Sequence, residues 1–193
     1  MGMGNDELVG FEQAKLTGNG DDNVIDASGF SGDVTINGGG GNDWLWAGDG
    51  DDIVNGGSGE DVLFGGPGDD LLRGQGGSLD VVSGGPGDDT LDGGADTDLL
   101  VEAGNDDFNL TDTALNGLGS NVISNFEMAQ LTGGNGDNVL DALAFTLGPV
   151  TLDGGGGGDT LIGTAVDDQL SGGSGTDLVV QVGVPIDQTL SDT

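Results

Sequence analysis

Aspartates recur at an almost constant interval: Asp43, Asp52, Asp61, Asp70, Asp80, Asp89 and Asp98, then Asp159, Asp168 and Asp177 further along. Carboxylates brought close in a row repel one another unless a cation shares their space, so the chemistry open to this pattern is ion binding. The chain has no His and no Cys, which removes thiolate nucleophiles, imidazole zinc sites, Ser-His-Asp relays and disulfides. Paired carboxylates also serve glycoside hydrolysis, but that needs one acid held protonated beside an ionised partner. Here every pair repeats, whereas a catalytic pair stands alone in its chain, and the pattern reads as non-catalytic.

The aspartates sit in nine-residue units that run from Gly38 to Val101: GGGGNDWLW, AGDGDDIVN, GGSGEDVLF, GGPGDDLLR, the ten-residue GQGGSLDVVS, GGPGDDTLD and GGADTDLLV. Aspartate holds the sixth place and glycine favours the second and fourth, where a tight turn needs conformations other residues resist. The eighth place is Leu45, Val54, Leu63, Leu72, Val82, Leu91 and Leu100 in turn. If the last three residues of each unit form a short strand, these seven side chains point inward. A larger repeat encloses the units: FEQAKLTGNGDDNVIDA (11–27) matches FEMAQLTGGNGDNVLDA (126–142), and DFNLTDT (107–113) matches DQTLSDT (187–193). This divides the chain into a first module at 1–113 with seven turns, a bridge at 114–122, and a second module at 123–193 with three turns at 154–180. Residues 27–37 and 142–153 read as enlarged turns, and Asn23 and Asn138 as degenerate ones. The stretch from Glu102 to Ser124, with weak strand character and no nonapeptide, is expected either to continue the stack irregularly or to cap the first module.

One branched side chain per nine residues returns less free energy than ordering so glycine-rich a backbone costs, and stacked carboxylates add repulsion. Without metal the chain is expected to be largely unfolded. A divalent cation between stacked turns converts those carboxylates and the loop carbonyls into ligands, so that metal binding becomes folding free energy. An all-oxygen, flexible donor set suits Ca2+ better than Mg2+, and several calcium ions are the expected cofactor.

These units resemble the hemolysin-type calcium-binding repeats of the RTX (repeats-in-toxin) family, with the template G-G-x-G-x-D-x-U-x, where U is a large aliphatic residue. GGSGEDVLF and GGPGDDLLR meet it at every specified place. The resemblance implies an all-β, right-handed parallel β-roll in which two nonapeptides complete a coil and Ca2+ lies between loops two units apart. It pairs Asp43 with Asp61, Asp61 with Asp80 and Asp80 with Asp98 on one edge, Asp52 with Asp70 and Asp70 with Asp89 on the other, and Asp159 with Asp177 in the second module; Asp168 stands in the remaining unit. It also implies that carbonyls of Gly39, Gly41, Gly48, Gly50, Gly57, Gly59, Gly66, Gly68, Gly85, Gly87, Gly155, Gly157, Gly173 and Gly175 complete the shells. GQGGSLD, GGADTD and GTAVDD depart from the template around Asp80, Asp98 and Asp168. By the same resemblance the module belongs to a secreted or surface-displayed bacterial protein, exported unfolded by type I secretion and folded by extracellular calcium.

With 35 acidic residues against Lys15 and Arg73, a net charge of −33 disfavours nucleic acid and anionic membranes as direct partners. Solvated disorder, the ordinary reading of an Asp- and Gly-rich chain, is outweighed by the periodic aliphatics. An EF-hand over Asp49 to Glu60 fails because Ile53 and Val54 take a ligand place and the turn glycine, and no lysine follows any glycine cluster as a phosphate loop requires. Trp44 and Trp46 flank the inward Leu45 and should face outward, as a platform that could stack on a sugar or, more ordinarily, as cover for a neighbouring segment. Phe11, Phe30, Phe126 and Phe145 recur at equivalent places and read as core or cap residues. The alternatives to a calcium-folding module are a glycan- or ice-binding adhesive segment and a calcium-dependent self-assembling surface-layer or filament module. The third loop place runs Gly40, Asp49, Ser58, Pro67, so it offers no regular row to ice.

Overall fold

Each nonapeptide ends in a three- to six-residue extended segment, and successive segments alternate between two sheets. This computed structural model describes residues 10–180, and no helix occurs among them. The first sheet takes Gln13–Thr17, Asp33–Gly40, Ile53–Ser58, Leu71–Gly76 and Thr90–Ala95 in parallel order, then three bridge strands, then Val139–Ala144, Thr160–Ile162 and Leu178–Val180. The second takes Val24–Asp26, Trp44–Trp46, Val62–Phe64, Val81–Ser83, Leu99–Ala103, Met128–Thr132, Val150–Asp153 and Gln169–Ser171, all parallel. The result is a β-solenoid. Pairing is in strict register, with Ile36, Val54, Leu72 and Leu91 aligned in the first sheet and Ile25, Leu45, Leu63, Val82 and Leu100 in the second.

The core is two single files of aliphatics, one from each sheet, facing each other. Every eighth-place residue from Leu45 to Leu100 is fully buried, as the period predicts. Side chains one residue to either side point outward because strand geometry alternates.

Both repeats of the larger module feed the same two sheets. Leu99–Ala103 of the first pairs in parallel with Met128–Thr132 of the second, and Phe108–Thr111 pairs with Val139–Ala144. Between them the bridge continues the stack irregularly. Phe108–Thr111, Ala114–Asn116 and Ser120–Ser124 form an antiparallel meander inserted into the first sheet, with Ser120–Ser124 resuming parallel pairing on Thr90–Ala95. Phe108, Leu110, Leu115 and Ile123 carry the core through it.

Two sequence expectations need correction. The segments 27–37 and 142–153 are not simple enlarged turns, because strands Asp33–Gly40 and Val150–Asp153 begin within them on the alternation of Val34 with Ile36 and of Val150 with Leu152, all buried. Phe126 and Phe145 are core residues and Phe30 is half-buried, but Phe11 is 59% exposed. Phe11 lies on the first described coil, and no other described coil lies on that side of it.

Candidate metal centres

The loops that join the sheets form two edges. On one, loops such as Gly38–Asp43 and Gly56–Asp61 lead into the second sheet; on the other, Ala47–Asp52 and Gly65–Asp70 lead into the first. All fourteen second- and fourth-place glycines named above adopt positive φ, between 84° and 149°. Gly57 and Gly59 show why no side chain fits: a Cβ on either would collide with the carbonyl oxygen of Gly39 or Gly41, one coil earlier. The carbonyls at these places therefore point along the stack at the next coil's glycine.

The sixth-place aspartates form ladders. On the first edge the Asp43 N–H donates to Asp61 Oδ1, Asp61 N–H to Asp80 Oδ1 and Asp80 N–H to Asp98 Oδ1, each at 2.8 Å. On the second edge Asp52 N–H donates to Asp70 Oδ1 at 2.8 Å and Asp70 N–H to Asp89 Oδ1 at 2.9 Å. Asp159 N–H donates to Asp177 Oδ1 at 2.9 Å in the second module. These are the pairs the family resemblance implies, and one oxygen of each acid is thereby spent on the coil before it.

The other oxygen is left alone. Oδ2 of Asp43, Asp52, Asp61, Asp70, Asp80, Asp89, Asp98 and Asp159 is buried without a hydrogen-bond partner. A buried acceptor with nothing to accept is costly, and repetition at eight rungs marks it as built. At several rungs a loop carbonyl converges on the same spot. A Cβ placed on Gly38 would strike Asp43 Oδ2 and come within 2.6 Å of the Gly56 carbonyl oxygen; on Gly65 it would strike Asp70 Oδ2 and come within 2.7 Å of Gly84 O; on Gly154, Asp159 Oδ2 and, at 2.7 Å, Gly172 O. An Oδ2 with no donor and a loop carbonyl of the next coil, which at Gly84 also accepts Gly66 N–H at 2.9 Å, thus crowd the same glycine, a pairing of hard oxygens that a cation would relieve. The carbonyl is that of the first-place glycine two units ahead, a donor the reading of the second and fourth places did not name.

Burial sets the electrostatics. Desolvation, opposed by the backbone N–H bond to Oδ1 and reinforced by neighbouring acids, raises Asp52, Asp61, Asp80, Asp89 and Asp98 to about 6 and Asp70 to about 7. Asp43 is raised for the same first reason. Among the described residues no three acidic side chains converge. An ion here would draw on one carboxylate per rung plus carbonyls, the hard all-oxygen set that suits Ca2+.

The departures from the template sort themselves by backbone. Gln75 and Asp96 replace glycine in GQGGSLD and GGADTD yet keep positive φ, 80° and 76°, so the loops hold their shape and Asp80 and Asp98 are fully buried like the others. GTAVDD does not manage this. Asp168 turns inward on its own loop, Oδ2 accepting from Thr164 N–H and Oδ1 from Thr164 Oγ1, both at 2.8 Å, with Val150 N–H at 3.0 Å. Asp168 thus has no free oxygen, and Asp177, on the last described coil, is exposed. Asn23 and Asn138 bring an amide oxygen to the cradle position beside Gly18 and Gly133, where it already accepts from Asn19 N–H at 2.8 Å and Gly134 N–H at 2.9 Å.

Several contributors escape the nonapeptide pattern. Asn121 and Glu127 close the ladders, accepting from Asp89 N–H at 2.9 Å and Asp98 N–H at 3.0 Å. Glu102 is buried where a first-place glycine would stand, and its Oε1 takes the N–H groups of Gly84 and Gly85 at 2.7 and 3.2 Å in place of the next coil's carbonyls. Burial raises it to about 7. Fifth-place acids form an outer ladder of opposite sense, Asp51 Oδ1 accepting from Asp69 N–H at 3.1 Å and Asp69 Oδ1 from Asp88 N–H at 2.9 Å; the doubled Asp of AGDGDD and of the two GGPGDD units was its trace in the sequence.

Trp44 and Trp46 do flank the buried Leu45 on the outer face. Trp46 stacks on Phe64 of the next coil, centroids 5.7 Å apart and planes 8° from parallel, and Trp44 leans on Trp46 at 5.5 Å with half its surface exposed. Trp46 is therefore engaged by its own sheet.

A family model for the RTX calcium-binding nonapeptide repeat matches four stretches, residues 28–63, 46–78, 79–100 and 153–180, which together span just over half of the chain. The first three cover the first module's ladders, and the last covers Asp159, Asp168 and Asp177. No curated protein matches the chain.

Proposed function

Since this chain belongs to the RTX calcium-binding nonapeptide repeat family, we propose that it is a calcium-responsive folding module of a secreted or surface-displayed protein, unfolded where calcium is scarce and assembled where it is plentiful. One observation carries the reading: eight buried Asp Oδ2 atoms lack any donor, several of them facing a loop carbonyl across the same point. Asp43, Asp52, Asp61, Asp70, Asp80, Asp89, Asp98 and Asp159 would hold the ions, with first-place carbonyls such as Gly56, Gly84 and Gly172. Bound Ca2+ supplies the positive charge that such convergent oxygens need.

The chain's own residues make the response steep. Each Asp Oδ1 is fixed by an N–H of the preceding coil, so its Oδ2 is aimed only when two coils are stacked. A cradle exists only in the assembled roll, and occupying it favours assembly. Extracellular modules of this kind work at about 10⁻⁴–10⁻³ M calcium, which is the gradient an exported chain crosses. No rung differs from its neighbours in the way a catalytic pair would, which supports a structural role. Glycan binding has weaker support, since Trp46 is engaged by Phe64.

A titration tests this. Far-UV circular dichroism and calorimetry from chelator through rising calcium should show cooperative gain of β signal and binding of several ions, with Mg2+ far less effective. Full β structure in chelator at neutral pH would remove the folding switch, and an equal response to Mg2+ would remove the ion assignment.

A further inference from the structure

On the second edge, each loop is fastened to the next coil by backbone bonds. Ala47 N–H donates to Phe64 O at 3.0 Å and Gly48 N–H to Gly65 O at 3.1 Å; one coil on, Gly65 N–H donates to Ser83 O at 3.0 Å and Gly66 N–H to Gly84 O at 2.9 Å. At Gly84 and Gly85 the pattern changes. Both N–H groups turn to a single side-chain atom, Glu102 Oε1, at 2.7 and 3.2 Å. The ladder changes at the same place: Asp52 N–H goes to Asp70 and Asp70 N–H to Asp89, but Asp89 N–H goes to the amide oxygen of Asn121. The meander is the reason. It intervenes between Leu99–Ala103 and Ser120–Ser124, so the layer next to the Gly84–Asp89 loop is assembled from two segments, with Glu102 contributed by one and Asn121 by the other.

This exchange of backbone for side chain alters the charge of the rung. Asp89 is 1% exposed and its Oδ2 has no donor. A Cβ on Gly84 would strike that same Oδ2, so Gly84 lies directly against it. Glu102, 2% exposed, holds the N–H of that same glycine. Two buried carboxylates therefore meet at Gly84. Burial raises the Glu102 carboxyl, and the nearby charge of Asp89 adds to the effect. Two N–H groups need only a neutral acceptor, as Asn121 shows at the same rung. An acid buried for hydrogen bonding alone adds a desolvation cost with no return, whereas a dication shared with Asp89 offsets the charge of both.

We propose that Glu102 is a calcium ligand from outside the nonapeptide pattern, sharing with Asp89 an ion bound beside Gly84 and supplying the carboxylate that Asn121 lacks. The inference rests on the calcium reading above and adds to it a site that no repeat position names. It also gives the meander a bound ion on its flank. Leu99–Ala103, which carries Glu102, pairs with Met128–Thr132 of the second module, so the ion fastens the last ladder loop of this edge to the strand that joins the two modules.

Glu102→Gln keeps an amide oxygen for Gly84 and Gly85 while removing the charge, and Glu60→Gln removes the same charge from an exposed loop place on the other edge. Equilibrium dialysis and calorimetry at pH 8, with circular dichroism on the same samples, should show one ion lost or held roughly tenfold or more weakly in Glu102→Gln, and the wild-type isotherm in Glu60→Gln. Asp89→Asn should affect that same ion, and combining it with Glu102→Gln should remove no further one. If Glu102 only satisfies two N–H groups, Glu102→Gln keeps the wild-type ion count and folds at lower calcium, because a buried charge has gone; that result overturns the proposal. A crystal structure of the wild-type chain grown in calcium provides a measurement that needs no variant to fold. Its anomalous map should place calcium within about 2.3–2.6 Å of a Glu102 oxygen and of Asp89 Oδ2. Calcium beside Asp70 with none at Glu102 overturns the proposal and leaves the calcium reading standing, whereas a chain that takes up no calcium overturns both.

Discussion

Residues 11–27 and 126–142 are nearly the same sequence at two positions along one rod, and they separate what a coil makes for itself from what it borrows. The polar turn is the same in both: Asn23 Oδ1 takes the N–H four residues back, and so does Asn138 Oδ1, at 2.8 and 2.9 Å. The apolar side is not. Phe11 is exposed and Phe126 is 1% exposed; Leu16 is half-buried and Leu131 fully buried. A turn's hydrogen bonds are local, whereas a single layer of side chains has no interior until another layer lies against it. Solenoid stability is accordingly a sum over neighbouring interfaces.

The comparison breaks most visibly at its phenylalanines. Phe126→Ala should cost about 3–5 kcal/mol in calcium-saturated urea unfolding at high dilution, and Phe11→Ala less than about 1 kcal/mol. Equal losses would mean that the first coil is covered as fully as its twin. The rungs provide the next largest contrast. Asp70 has a carboxylate neighbour on both sides and a free Oδ2, while Asp177 is exposed on the last described coil. Asp70→Asn should weaken calcium binding by about 1.5–3 kcal/mol, roughly tenfold or more, and lower the measured stoichiometry, whereas Asp177→Asn should do neither to a comparable degree. Similar calorimetric isotherms for the two variants would contradict the assignment of interior rungs as the principal sites.

Proton uptake should sharpen the same contrast between interior and end. Asp52, Asp61, Asp80, Asp89 and Asp98 have folded-state values of about 6 and Asp70 of about 7, against an unfolded value near 3.8. A raised value means that the folded state binds more protons, so without metal the roll is favoured below the unfolded value and loses that support as pH rises through 6 to 7. In chelator, β signal should therefore increase on acidification from pH 8 to pH 5, and calcium affinity should fall over the same interval as protons compete for the carboxylates. A metal-free chain that gains structure with rising pH would contradict the buried ladders. Glu102 offers a smaller version of this test, because its partners are backbone N–H groups and glutamine can keep an acceptor there. Glu102→Gln should be close to neutral at pH 5 and raise chelator-state stability modestly at pH 8, where the native carboxyl is ionised in a buried place.

The period was legible because glycine and aspartate act through geometry that is purely local. Second- and fourth-place glycines take positive φ wherever they occur, and Leu45 and its equivalents turn inward by strand alternation alone. What escaped depended on neighbours. Nothing in residues 108–124 fixes an antiparallel meander except the strands already waiting on either side of it. Gln75 and Asp96 did not reveal that they would accept positive φ, because the stacked coils above and below impose it. Asp168 matches the repeat in sequence, but Thr164 nearby supplies both an N–H and a hydroxyl that capture its carboxylate. The free oxygen that marks a candidate ligand is a property of the loop and the adjoining coil together.

The outer face offers the gentlest test, since its side chains are partly exposed on interior coils as well as at the end. Trp44 faces Val24 of the first described coil on one side and Val62 on the other, while Trp46 lies against Phe64. If core burial sets the difference between the twin segments, these outward aromatics should be nearly indifferent to it. Trp46→Ala should cost about 0.5–1.5 kcal/mol beyond its lost area because it removes a stacked pair, and Trp44→Ala less, both read from urea unfolding in saturating calcium. Calcium stoichiometry should be unchanged in both variants, because both indoles flank Leu45 on the outer face, where Trp44 is half exposed and Trp46 stacks on Phe64. A loss at Trp44 as large as that at Phe126 would show that cover on the outer face, and not coil-on-coil burial, is what stabilises the first described coils.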